Sequence, residues 1–102
     1  MPNETDAPSP FFAAPPFDAD DALVQLKRQL RELRLSERGH GFERKGCRVV
    51  ELQRGATGID ARLAKRPAAT PQWTTSALRS SAEVRRFVDT VKQQLARWSD
   101  DE

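Results

Sequence analysis

The sequence predicts an α+β domain: a two-layer sandwich of helix, antiparallel meander of three (or four) strands and helix, behind a disordered N-terminal tail. Three observations carry that expectation. Leucines recur at helical spacing from Leu23 to Leu33, strand-like alternation and turn residues fill the stretch from Cys47 to Leu78, and Ser80 opens a second amphipathic run that reaches Trp98. Short connections between such elements favour a meander with both helices on one face of the sheet.

The tail comes first. Five of the seven prolines (Pro2, Pro8, Pro10, Pro15 and Pro16) fall within the first sixteen residues. Proline removes backbone donors and biases its predecessor toward extended conformations, so residues 1–17 read as a non-helical, disordered, acidic tail. It carries Phe11, Phe12 and Phe17, three of the five phenylalanines. These make it a candidate docking segment, for a partner or for its own domain, whereas the plainer reading leaves Phe17 alone to anchor the chain where the first helix begins.

The first helix is expected from Asp18 to about Leu35. Asp18 is a good N-cap, and Asp20 and Asp21 set negative charge at the positive end of the helix dipole. Leu23, Leu26, Leu30 and Leu33 form one stripe, and Gly39 and Gly41, flanking His40, close the helical region. The leucine stripe also matches a dimeric a/d seam, but at about two heptads core packing within a monomer is preferred.

Strand character follows. Cys47–Gln53 holds Val49, Val50 and Leu52, Arg54–Gly58 reads as a turn, and Ile59, Ala61 and Leu63 alternate with Asp60, Arg62 and Ala64. Pro67 and Pro71 bracket a loop before a strand over Gln72–Leu78, with Trp73 expected on the core face. Phe42–Arg44 is a candidate fourth strand turning at Lys45–Gly46. Ser80 and Glu83 then stand in the capping-box relation, and Val84, Phe87, Val88, Val91, Leu95 and Trp98 trace one apolar face. The domain organisation is a tail over 1–17, one domain over 18–99 and an acidic end over 100–102.

Composition narrows the function classes. The chain has 102 residues, of which 31% are charged, and its mean hydropathy is −0.71. That length supports one modest core. Cys47 is the only cysteine, which excludes an internal disulfide. The N-terminus has no basic start and no unbroken apolar run, and no stretch approaches the roughly 18 apolar residues of a spanning helix, so the expectation is a soluble cytoplasmic protein without membrane contact. The net charge of +2 hides a polarised layout: −5 over residues 1–22, +10 over 23–98 and −3 over 99–102. A basic body between acidic ends is the most informative feature of the composition.

No catalytic constellation emerges. Cys47 and His40 are single members of their types, and a cysteine opening an apolar strand is more often a small hydrophobe than a nucleophile. One Cys and one His do not make a zinc site, Gly55–Gly58 lacks the lysine of a phosphate loop, and Asp18, Asp20 and Asp21 are explained by helix capping. The sequence therefore predicts no enzyme, no cofactor and no metal. A basic surface is the other candidate: Lys27, Arg31 and Arg34 form a stripe beside the leucines, and Arg44, Lys45 and Arg48 follow on the first hairpin, as nucleic-acid backbone contacts would. Aromatic interleaving is nearly missing.

In its order of elements the chain is similar to the double-stranded-RNA-binding domain. That family carries lysines at the start of its second helix, where this chain has Ser80–Val84 with Glu83 among them and only Arg79, Arg85 and Arg86 nearby. The chain is assigned to no family. The leading expectation is a non-enzymatic accessory or protein-interaction module with a protein partner, using the free face and edge of its sheet; the alternative is nucleic-acid binding by the basic helix and hairpin.

Overall fold

The computed structural model describes residues 17–100. The elements are α1 (Ala19–Glu32), β1 (Ser36–Arg38), β2 (Gly41–Arg44), β3 (Cys47–Arg54), β4 (Ile59–Ala64), β5 (Trp73–Leu78) and α2 (Ser81–Asp100). The strands form one antiparallel sheet in sequence order, β1 to β5, so the meander has five strands rather than three or four. Both helices cover one face, giving the expected two-layer α+β arrangement. Apart from Phe17, the predicted tail lies outside the described residues.

Local chemistry sets the helix ends. The Asp21 amide donates to Asp18 Oδ1 at 3.1 Å, so Asp18 caps α1 as its residue type suggests. The helix stops at Glu32, short of the expected Leu35, and the glycines at 39 and 41 play no part in stopping it. Arg34 adopts φ +69. Its amide donates to Arg31 at 2.9 Å, and the Leu35 amide reaches back to Leu30 at 3.3 Å. This is a Schellman closure with arginine where glycine is usual, held by burial of Leu30 and Leu35 against each other's surroundings. At α2 the Glu83 amide donates to Ser80 Oγ at 3.2 Å, the first half of the expected capping box, while the Glu83 carboxylate accepts from the amide of Arg79, one residue before the N-cap, at 2.8 Å.

β1 has no apolar residue to announce it and exists by pairing with β2, Glu37 opposite Phe42. The candidate strand at Phe42–Arg44 is present as β2. A two-residue turn at Lys45 and Gly46, both at positive φ, joins it to β3. A register shift between Phe42 and Glu43 inserts one extra residue in β3, and both Val49 and Val50 are fully buried as a result.

Paired residues share a face. On the helix side, Phe42, Val50, Leu52, Ile59, Ala61, Leu63 and Leu78 meet Leu26 and Leu30 of α1 and Val84, Phe87, Val88, Val91 and Trp98 of α2. The leucine stripe is thus spent inside the chain. Trp73 is a correction: it pairs with Ala64 on the opposite face, is half-buried, and carries the Arg62 guanidinium over its ring at 4.8 Å. Alternation decides this, because Leu78 five positions later points to the core. Asp100 is the last residue of α2, and the rest of the acidic end lies outside the described residues. No helix among the described residues is long and apolar enough to cross a membrane.

Candidate functional site

The cations singled out from sequence do not form one surface. Lys27 and Arg31 converge on Glu37 of β1, at 3.7 and 2.8 Å, because β1 lies beside α1 and Glu37 faces the helices. Arg34 is held in the left-handed closure of α1. Arg44 sits near the far end of α2, where its guanidinium donates to Ser99 Oγ at 3.1 Å, and Lys45 stands in the β2–β3 turn. Arg48 lies on the opposite side of the sheet, donating to the Arg38 carbonyl at 3.2 Å and pairing with Glu51 at 3.6 Å. Gly41 makes room for it, since a Cβ there would collide with the Arg48 guanidinium.

The uncovered face of the sheet is a polar ladder. Glu51 takes Arg48 from its own strand and Arg62 from β4, the latter at 2.8 Å, and Arg62 continues onto Trp73 of β5. With Arg38 of β1, Glu43 of β2 and Asp60 of β4 on the same face, three acids and three bases balance. Such a face offers little net field to a charged ligand and no apolar patch to a partner.

The β5 side is different. β5 is an edge strand whose sequence, Trp73-Thr74-Thr75-Ser76-Ala77-Leu78, contains no charge and no proline, and among the described residues no further strand pairs with its outer row of backbone groups. Between this edge and α2 runs a groove of about 220 Å³. Leu63, Thr74, Ser76 and Leu78 form its sheet wall; Arg86, Phe87 and Thr90 form its helix wall. That volume is below the roughly 300–1,000 Å³ of small-molecule sites and suits a single side chain. Glu83 also borders it, but its carboxylate is occupied by the Arg79 amide and the Ser80 hydroxyl.

Around this groove the positive charge is unspent. The side chains of Arg86, Arg79 after β5, and Lys65 and Arg66 in the β4–β5 loop make no ion pair or hydrogen bond among the described residues; the same is true of Arg34, Arg85, Lys92 and Arg97, which do not line it. Sequence reasoning missed Thr74, Ser76, Arg86 and Thr90 because neither β5 nor α2 carries a motif. The only available signal was an uncharged strand at the end of a meander. A second furrow, between the helices, measures about 470 Å³. Glu32 and Asp89 oppose Arg85 and Lys92 along it, with only Leu33 and Val88 apolar, so it has neither net charge nor an apolar floor.

Catalytic and metal chemistry finds no centre among the described residues. His40 precedes β2 and Cys47 follows it, so the length of that strand, about 13 Å, separates them, far beyond the hydrogen-bond reach of a nucleophile and its base. No group of three or more His, Cys, Asp or Glu side chains is placed to hold a metal ion among the described residues. Phe17 is half-buried against the core, as the anchoring reading requires; Phe11 and Phe12 lie outside the described residues. Comparison with protein-family models, with curated proteins and with solved structures finds no match.

Proposed function

We propose that this protein is a non-enzymatic interaction module that binds an extended, acidic peptide by adding it as a sixth strand beside β5. The observation that carries the reading is the coincidence of an uncharged six-residue edge with an adjoining side-chain-sized groove. Backbone pairing along the edge supplies affinity, and one apolar side chain set between Leu63, Leu78 and Phe87 supplies register. The unpaired Arg86, Lys65 and Arg66 favour a ligand with carboxylates flanking that apolar residue.

The test is a titration of the isotopically labelled full chain with a peptide of alternating threonine and valine, a central phenylalanine and glutamate at each end. Amide shifts should concentrate at Trp73–Leu78 and the facing turns of α2, and Thr74→Glu should weaken binding about tenfold by placing like charge at an exposed position on the groove. Shifts confined to α1 and the first hairpin would sink the reading.

Nucleic-acid binding through Lys27, Arg31, Arg34, Arg44, Lys45 and Arg48 is the rival. It has weaker support, because Lys27, Arg31 and Arg48 already hold carboxylates and the six residues span both faces of the sheet. Fluorescence anisotropy with single-stranded DNA, duplex DNA and duplex RNA at low salt separates the two: binding that falls with Arg31→Glu restores the rival.

A further inference from the structure

Resting on the peptide-docking reading, we infer that the ligand runs antiparallel to β5 and bonds to the backbones of Trp73, Thr75 and Ala77 alone, with its apolar anchor opposite Ser76 and the anchor's own amide turned away from the sheet.

The parity of the ladder decides which backbone groups are free. The Lys65 amide donates to the Gln72 carbonyl at 2.8 Å, one step beyond the Ala64–Trp73 pair, so Lys65 and Gln72 are a hydrogen-bonded pair. In an antiparallel ladder such pairs alternate with non-bonded ones. Leu63 with Thr74, Ala61 with Ser76 and Ile59 with Leu78 are therefore the bonded pairs between β4 and β5. The other side of β4 gives the same parity. The Gly55 amide donates to the Gly58 carbonyl at 2.8 Å, one step beyond the Arg54–Ile59 pair. That turns the backbone groups of Asp60 and Arg62 toward β3 and leaves those of Ile59, Ala61 and Leu63 for β5. Thr74, Ser76 and Leu78 are thus bonded inward, and the N–H and C=O groups of Trp73, Thr75 and Ala77 point away from the sheet.

Side chains divide the opposite way. Thr74, Ser76 and Leu78, already bonded to β4, line the groove. Trp73, Thr75 and Ala77, whose backbone groups are free, turn their side chains to the uncovered face. In antiparallel pairing, ligand residues opposite these three exchange both bonds with them. The ligand residues in between set their side chains over the groove and their backbone groups toward solvent. Ser76 is the middle one of the three groove-lining residues of β5, so the anchor falls opposite it, between partners of Ala77 and Thr75.

Antiparallel orientation also orders the least chain. Ligand residues from the level of Ala77 to that of Trp73 then meet every free group. In a parallel pair each residue bonds to the two neighbours of the residue facing it, so the ligand must extend one residue further at both ends for the same bonds. All four strand pairs already in the sheet are antiparallel. The ligand class is then defined by its backbone as well as its side chains. Both residues flanking the apolar anchor need free amides, which excludes proline there, whereas loss of the anchor's own amide removes nothing from the ladder.

The experiment uses the labelled full chain and the threonine–valine–phenylalanine–glutamate peptide, unmodified or with one N-methyl group at the central phenylalanine or at either neighbour of it. The inference expects the N-methylphenylalanine peptide to bind within about twofold of the parent, and methylation of either neighbour to weaken binding about tenfold, the effect of one lost hydrogen bond. Hydrogen exchange at Trp73, Thr75 and Ala77 should be fast in the free chain and slow in the complex, with Thr74 and Ser76 slow in both. Binding lost on methylating the phenylalanine would overturn the antiparallel register while leaving docking at β5 in place. Slow exchange at Trp73, Thr75 and Ala77 in the free chain would show an edge already paired and overturn the inference. A parent peptide that does not bind, or three methylated peptides that all bind like the parent, would overturn the strand-addition reading itself.

Discussion

The two edges of the sheet are built on opposite plans. β1 is three residues long, Ser36-Glu37-Arg38, all exposed, with Glu37 tied to Lys27 and Arg31 of α1 and Arg38 near Glu43 of β2 at 3.9 Å. Short length and charge are the usual devices by which a sheet edge refuses further strands. β5 has twice the length, no charge and no proline, and it flanks a groove whose other wall is α2. One edge is closed by its own chemistry and the other is left open. A fold indifferent to its edges would have no reason for that asymmetry, and it is why the docking surface is placed at β5.

Four substitutions probe the contrast. The largest effect is expected at Phe42, fully buried in the strand that carries β1. Phe42→Ala should cost about 3–5 kcal/mol in urea unfolding, with the amides of β1 losing exchange protection first; a loss below 1 kcal/mol would mean that the closed edge is not held by this contact. Next comes Gly58, whose Cα packs on the Leu78 carbonyl at the open edge. Gly58→Ala forces that turn away from β5 and should cost about 1–3 kcal/mol, with probe-peptide binding lost together with the order of β5. A variant of unaltered stability would show that β5 is positioned by α2 alone.

The third is stabilising. Arg34 holds the left-handed position that ends α1 just before β1. Arg34→Gly removes the Cβ penalty and should raise stability by about 1 kcal/mol, read as a higher midpoint at unchanged slope. It also deletes a candidate nucleic-acid contact, so any anisotropy response would change with it. The smallest effect is expected at Glu37, about a third exposed and shared by two cations. Glu37→Gln should change stability by less than about 0.5 kcal/mol yet leave β1 with fewer charges. New concentration-dependent association through β1 would confirm that charge, and not length alone, keeps this edge closed.

Much of this architecture was legible before any coordinates. The caps at Asp18 and Ser80, the leucine stripe, the alternation of Ile59–Leu63 and the apolar face of α2 are local patterns, and local patterns are written in consecutive residues. β1 was invisible because Ser36-Glu37-Arg38 has no strand signal of its own and is ordered by its neighbour. Trp73 was assigned to the wrong face because large aromatics are usually core, whereas the parity of its position relative to Leu78 put it opposite. The cations on α1 looked free in sequence, and Glu37, which neutralises Lys27 and Arg31, reaches them only through the fold.

By itself, then, the sequence determined the class of the domain, the start of both helices and the polarised charge, since each depends on periodicity, capping or composition within a short window. Only the tertiary structure decided which cations remain unpaired, which strand ends as an open edge and what lies next to it. Those properties depend on which distant residues become neighbours. Pairing across strands and the approach of α2 to β5 create the groove between Leu63 and Phe87, and neither strand alternation nor helical periodicity says how closely its walls approach.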